Sequence, residues 1–167
     1  MKYNIGFFGG KFLPMHKGHE YCIKIASGEC NHVHVILFYG GLEEENARKL
    51  LLNNPDKLEL ISLENRKAAL ERMVKKYNNV IPHILDISKC RLSDGSENWN
   101  AETPLVRDCI KSKIDVVYGS EPRYASYFSK AYPEAKYRII DTNRNIIPIS
   151  ATKIRNMNIK DAKWWLV

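Results

Sequence analysis

Five short apolar runs, with helix-type patterns in most of the intervals between them, constrain this chain more than any other feature. Residues 3–8, 32–39, 80–87, 115–118 and 137–140 have the length and apolar character of strands. Residues 20–26 place Tyr21, Cys22 and Ile25 on one helical face, and 62–77 does the same with Leu63, Leu70, Met73, Val74 and Tyr77. Thr103-Pro104 reads as a cap followed by proline at the first helical position, opening a helix to about Ser112, and 123–131 is helical again. Strands joined through helices run parallel, and their right-handed crossovers lay helices over the sheet. The expected fold is α/β, a Rossmann-like open parallel sheet of about five strands with helices on both faces. Pro82 cannot donate to a ladder, which places it at its strand's start or on the sheet edge.

Ligands of such sheets bind beyond the carboxyl ends of the strands. The loops there are 9–19, Gly40-Gly41, 90–99, Gly119-Ser120-Glu121 and 143–150. The first reads Gly10-Lys11-Phe12-Leu13-Pro14-Met15-His16-Lys17-Gly18-His19 and leads into a helix, whose free N–H groups and dipole favour an anion. His16 and His19, on either side of Gly18, are placed to aim ring N–H donors at one phosphate. Near the other end, Ser150 is an N-cap candidate, Thr152 and the first-turn N–H groups suit phosphate oxygens, and Arg155 adds a permanent charge with forked donors. No Ser/His/Asp set, metal-ligand cluster or carboxylate pair suited to acid–base work accompanies them. An inventory of phosphate donors that includes Lys11 suits in-line nucleotidyl transfer, in which positioning and charge stabilisation do most of the catalysis.

Two strings give this reading a family. Gly-Lys-Phe-x-Pro-x-His-x-Gly-His over 10–19, together with Ile149-Ser150-Ala151-Thr152-Lys153-Ile154-Arg155, resembles the paired signatures of the nucleotidyltransferase superfamily. Tyr21, Tyr118-x-Ser120-Glu121, Asp141-x-x-Arg144 and a tryptophan near the chain end resemble, more narrowly, the nicotinamide-nucleotide adenylyltransferase domain of NadR-type bifunctional proteins. That resemblance implies ATP as donor, nicotinamide mononucleotide as acceptor and NAD as product, with Mg2+ carried on the ATP. It implies His16, His19 and Lys11 as catalytic residues, and Gly9, Gly10, Phe12, Gly18, Ser120, Arg144, Ser150, Thr152 and Arg155 around the ATP. Trp99, in the loop 88–101, matches a tryptophan that stacks on the nicotinamide ring in that family; otherwise it anchors its loop. Ser96-Glu97-Asn98 stands where that family has a Gly-Trp pair, a departure that bears on the acceptor. A kinase domain follows in NadR-type proteins, so 1–167 reads as a single nucleotidyltransferase domain, standing alone or forming the N-terminal part of a longer protein.

The formal charge of +7 comes from 26 basic residues scattered among 19 acidic ones, which suits a polyanionic small substrate as well as nucleic acid. The expectation is ATP and the mononucleotide as small-molecule partners, no nucleic acid and no membrane, with a homo-oligomer left open. Four cysteines without Cys-x-x-Cys or zinc-like spacing, and the lack of a signal peptide, suggest reduced thiols in the cytoplasm. Glu43, Glu44 and Glu45 read as a solvated face, Trp164 and Trp165 as a terminal helix packed on the core, and Tyr124, Tyr127 and Phe128 as a buried helix face. A cytidylyltransferase or pantetheine-phosphate adenylyltransferase, or a nucleotide-sensing module without turnover, are the alternative functions.

Overall fold

The five runs pair in parallel into a single sheet in the computed structural model, which describes residues Met1–Val167. The strands are β1 (Tyr3–Gly10), β2 (Cys30–Tyr39), β3 (Val80–Asp86), β4 (Val116–Gly119) and β5 (Lys136–Ile139), in the order β3-β2-β1-β4-β5. The chain winds outward from β1 to β3, then returns to the other side of β1 for β4 and β5. Loops after β1 and β4 therefore diverge, and a crevice opens between them at the carboxyl edge. Pro82 lies on the edge strand β3, where its missing N–H leaves no internal ladder bond unmade.

Alternation along the strands divides the core into two layers. Phe8, Val33, Val35, Leu37, Val116 and Tyr118 face α1 (Lys17–Glu29) and α4 (Leu63–Val74), which bury Cys22, Ile23, Ala26, Leu70 and Met73 against them. Ile5, Phe7, Ile36, Phe38 and Val117 face the other way, onto Val106 and Ile110 of α5 (Trp99–Ile110) and onto Tyr132 beyond α6 (Ala125–Ala131). The expected α/β class with helices on both faces is the one observed. A short 3-10 turn, Pro122–Tyr124, precedes α6. The chain closes with α7 (Ala151–Asn156) and α8 (Ile159–Trp165). No helix is long and apolar enough to cross a membrane.

Several local expectations are corrected. Two further helices, α2 (Leu42–Leu50) and α3 (Pro55–Leu60), fill the interval after β2. Asn54 caps α3, and Ala47, Leu51 and Ile61 of this region pack on Leu13. Helix α5 starts at Trp99, because Asn98 accepts the Ala101 N–H and sets the start; Pro104 consequently lies inside the helix and not at its first position. The run Glu43 to Glu45 is a solvated face at Glu43 and Glu45, which are exposed, but not at Glu44. Glu44 is buried, bonded to the Gly40 N–H at 2.9 Å and to the fully buried Arg66 at 2.6 Å, while Glu43 and Glu45 pair with Lys11 and Arg91. Arg66 also donates to the Lys11 carbonyl, so one buried ion pair ties the ends of β1 and β2 together. Trp165 packs on the cluster around Ile154, but Trp164 is 70% exposed, with the Lys17 ammonium over its ring.

Candidate active site

A cavity of about 320 Å³ occupies the crevice beyond β1 and β4. Its walls are the end of β1, the start of α1, one face of α5, the loops after β4 and β5, and the start of α7. Of the site residues expected from sequence, Gly9, Gly10, Lys11, Phe12, His16, Gly18, His19, Trp99, Ser120, Arg144, Ser150 and Thr152 line it.

His16 and His19 are built into the start of α1 as a capping box made of imidazoles. His16 is the N-cap, and its Nδ1 accepts the Gly18 N–H at 3.1 Å; Nδ1 of His19 accepts the His16 N–H at 3.2 Å. Both Nδ1 atoms act as acceptors, so each neutral ring carries its proton on Nε2. Neither Nε2 has a partner within the chain, and both rings line the cavity. The rings stack with centroids 3.7 Å apart, and His19 also packs edge-on against Phe12. Gly18 is required here, since a Cβ would stand 2.9 Å from the His16 ring. Burial, reinforced by the Arg144 charge, lowers His16 to about 3. Burial, then His16 and Arg144, puts His19 well below its ordinary value. The pair therefore offers two neutral N–H donors at physiological pH.

The cations around the cavity already have partners. Arg144 donates to the Ile149 carbonyl at 2.7 Å and to Glu121 at 2.9 Å. Asp141, which like Arg144 sits in the left-handed region, accepts the N–H groups of Ile146 and Ile147 and fixes the turn between them. Lys11 is held by both oxygens of Glu97, at 2.6 and 2.7 Å, and by Glu43 at 3.2 Å. Burial alone would depress its ammonium; the bonds and charges of Glu97 and Glu43 outweigh that and hold it above the usual lysine value. Ser150 caps α7 by accepting the Lys153 N–H at 3.1 Å. Arg155 is the exception among the expected residues. It lies outside this cavity, in a shallow neighbouring groove with Glu97 and Trp99, because its guanidinium bonds the Leu13 carbonyl at 2.6 Å and reaches Thr152.

Aromatic side chains form the opposite kind of wall. Trp99 stands edge-on to Tyr124 and Tyr127, with centroids 5.2 and 5.3 Å away, and Phe128, Tyr132 and Tyr137 continue the surface. Tyr124, Tyr127 and Phe128 thus line the cavity, where sequence reading put them on a buried helix face. Trp99 opens helix α5 and is not a loop residue; its indole N–H donates to Glu97 at 3.1 Å, and its carbonyl accepts from Tyr127. The departure at 96–98 therefore has work to do, Glu97 holding Lys11 and Trp99 while Asn98 starts the helix. Glu102, one turn beyond Trp99, also lines the cavity and went unnoticed in the sequence. Its Oε1 is buried with no hydrogen-bond partner, and burial pushes the carboxyl up to about 7, with Lys11 opposing and Glu97 adding to the rise. Only its spacing from Trp99 on a helix would have pointed to it.

No protein-family model matches the chain. Over 92% of its length the chain is 26% identical to the trifunctional NAD biosynthesis/regulator protein NadR of Escherichia coli (strain K12), of which it covers 37%. Its fold matches that of a NadR protein crystallised with NAD and AMP-PNP at a TM-score of 0.69 and 22% identity, covering 98% of this chain and 44% of that one. A bifunctional NMN adenylyltransferase/ADP ribose pyrophosphatase from Francisella tularensis matches at a TM-score of 0.63 and 23% identity, covering 92% of this chain and 41% of that one. The chain spans less than half the length of these relatives. The resemblance read from the two motifs is thus joined by a sequence likeness to NadR over 92% of the chain and by a shared fold.

Proposed function

We propose that this chain, as one nucleotidyltransferase domain over 1–167, transfers the adenylyl group of ATP to nicotinamide mononucleotide, giving NAD and pyrophosphate. The observation that carries the reading is the division of one cavity into two chemistries: neutral N–H donors and helix starts at α1 and α7, and an aromatic wall at α5 and α6. The first suits a triphosphate and the second a flat cationic ring. Sequence similarity to NadR, a protein of NAD biosynthesis, supports the same assignment.

A phosphate oxygen of the acceptor attacks the α-phosphorus of ATP, the bond to the bridging oxygen breaks, and pyrophosphate leaves with that electron pair. The protein supplies no nucleophile. His16 and His19 donate Nε2–H bonds to triphosphate oxygens, and because neither needs to be protonated for this, the contact persists across the neutral pH range. Lys11 and Arg144 add positive charge once the triphosphate competes with Glu97 and Glu121 for them. Arg155 acts from the adjoining groove, holding the Leu13 carbonyl and Thr152. Three or more His, Cys, Asp or Glu side chains nowhere gather as a metal cage, and the cavity's carboxylates other than Glu102 are engaged with protein donors. Magnesium enters this reading as part of the substrate, bound to the triphosphate with much of its water shell.

Pyrophosphate release, measured with ATP or CTP against nicotinamide mononucleotide, nicotinic acid mononucleotide and phosphopantetheine, tests the proposal. NAD formed from ATP and nicotinamide mononucleotide is the expected product. Turnover confined to CTP or to phosphopantetheine, or nucleotide binding without any turnover, would overturn it.

A further inference from the structure

Among the cavity's acidic groups, Glu102 alone has no partner. Glu43 holds Lys11, as does Glu97 from the neighbouring groove, Glu121 holds Arg144, and Asp141 caps two backbone N–H groups. Glu102 forms no ion pair, and its Oε1 is sealed from solvent without a hydrogen bond. It shares one face of α5 with Trp99 and Val106, all three lining the cavity. Lys11, Glu97 and Cys90 face it from the loops, and Tyr127 and Tyr132 from α6 and its end; each of these interacts with its charge. Folding leaves such a group unanswered only at a cost. A ligand that brings both positive charge and an N–H donor to the aromatic wall would supply what is missing.

We propose that Glu102 reads the base of the acceptor, its carboxyl group accepting an N–H from the carboxamide of a pyridinium ring stacked on Trp99 and disfavouring a ring that bears a carboxylate instead. This assignment rests on the adenylyl-transfer reading above. Nicotinamide and nicotinic acid mononucleotides share the cationic ring and the phosphate. They differ at one substituent, which is a neutral amide with two donors in the first and an anion with none in the second. Against the ionised Glu102 carboxylate, the form that a cationic ring favours, the acid loses a hydrogen bond and gains a like-charge contact, while the amide satisfies an orphaned acceptor. Discrimination by unpaired polar groups of this kind is strong, because a wrong substrate leaves them unpaired.

The test compares kcat/KM for the two mononucleotides, at fixed saturating ATP, in wild type and in Glu102→Gln. Wild type is expected to favour the amide at least tenfold. Glutamine keeps an acceptor for the amide but adds a donor for the acid, so the ratio should fall at least tenfold, chiefly through a lower KM for the acid, with the KM for ATP unchanged. A merely structural Glu102 would instead change kcat and the KM for ATP along with both acceptors. A wild type that prefers the acid, or a ratio unmoved by the substitution, overturns the assignment and leaves adenylyl transfer standing. No turnover of either acceptor by wild type overturns the adenylyl-transfer reading and this assignment with it. Should Glu102→Gln not fold, Glu102→Ala is judged by the same ratio, which should also fall because both the amide contact and the repulsion of the acid are removed.

Discussion

Replacing Glu102 with glutamine should make the protein more stable at high pH than at low pH relative to wild type. Burial raises the carboxyl from an ordinary 4.5 to about 7 in the folded chain. Below 4.5 it is neutral in both folded and unfolded states and carries no charge penalty. As pH rises through 4.5 the unfolded chain releases the proton first, and native stability falls until the folded group also ionises near 7. At ~1.4 kcal/mol per pH unit, the gap sets a ceiling on the order of 3 kcal/mol, and partial solvent access reduces it to about 1–3 kcal/mol. Glutamine cannot ionise, so it does not incur this loss. Its own amide also lacks a partner in the cavity, but that cost is independent of pH and cancels when two pH values are compared. Urea unfolding of both proteins at pH 4 and pH 8 gives the four free energies needed. The stability of Glu102→Gln relative to wild type should be greater at pH 8 by about 1–3 kcal/mol. An equal difference at the two pH values would show that Glu102 meets water or a partner in the native state, and would remove the basis for its role in reading the base.

The imidazoles of His16 and His19 should hold the Nε2–H tautomer and show no titration between pH 5 and 8 by 15N NMR; a midpoint near 6.5 in either ring would contradict their burial and the capping box. His19→Ala should lower turnover by roughly 10²- to 10³-fold, and, because it also removes the acceptor of the His16 N–H, cost ~1 kcal/mol in a thermal melt; near-wild-type turnover would exclude the donor role. Glu44→Ala strands the fully buried Arg66 and should cost about 3–5 kcal/mol in denaturant unfolding, whereas a surface pair would cost under ~1 kcal/mol. Trp99→Ala should raise the KM for nicotinamide mononucleotide by about tenfold or less, on the order of 1 kcal/mol, and spare the KM for ATP; a rise in the KM for ATP alone would turn Trp99 into an anchor for Glu97 and Lys11.

What could be read in the sequence followed from short-range rules. Strand and helix periods, and a cap at Ser150, depend on neighbours within a turn or two, and they placed the five strands and the loops at their carboxyl ends. Errors arose where distant residues decide. Glu43, Glu44 and Glu45 look alike in sequence, yet Lys11, Arg66 and Arg91 give each a different environment. Helices α2 and α3 are short and charged, and part of their support comes from Leu13 across the fold. At α5 two local signals competed, Asn98 and Thr103-Pro104, and the earlier cap prevailed, which turned Trp99 from a loop residue into the first residue of a helix.

The same distinction governs the site. Most polar groups named from the motifs use their hydrogen bonds to hold the protein together: Arg144 on Ile149 and Glu121, Arg155 on Leu13, Lys11 on Glu97, Ser150 on its helix. A motif identifies such residues without saying how much of each is left for a ligand. That remainder appears only when every bond is assigned, and in this cavity it includes two Nε2–H donors at the start of α1 and one carboxyl oxygen on α5. Donors without an acceptor suit phosphate, and an acceptor beside aromatic faces suits a cationic base with N–H groups. On the proposed reading, a mononucleotide that carries such a base would complement the second remainder while its reacting phosphate approaches the first. An acidic base would, on that reading, leave the Glu102 carboxyl as unpaired as it is in the free protein, and that is the argument for the amide.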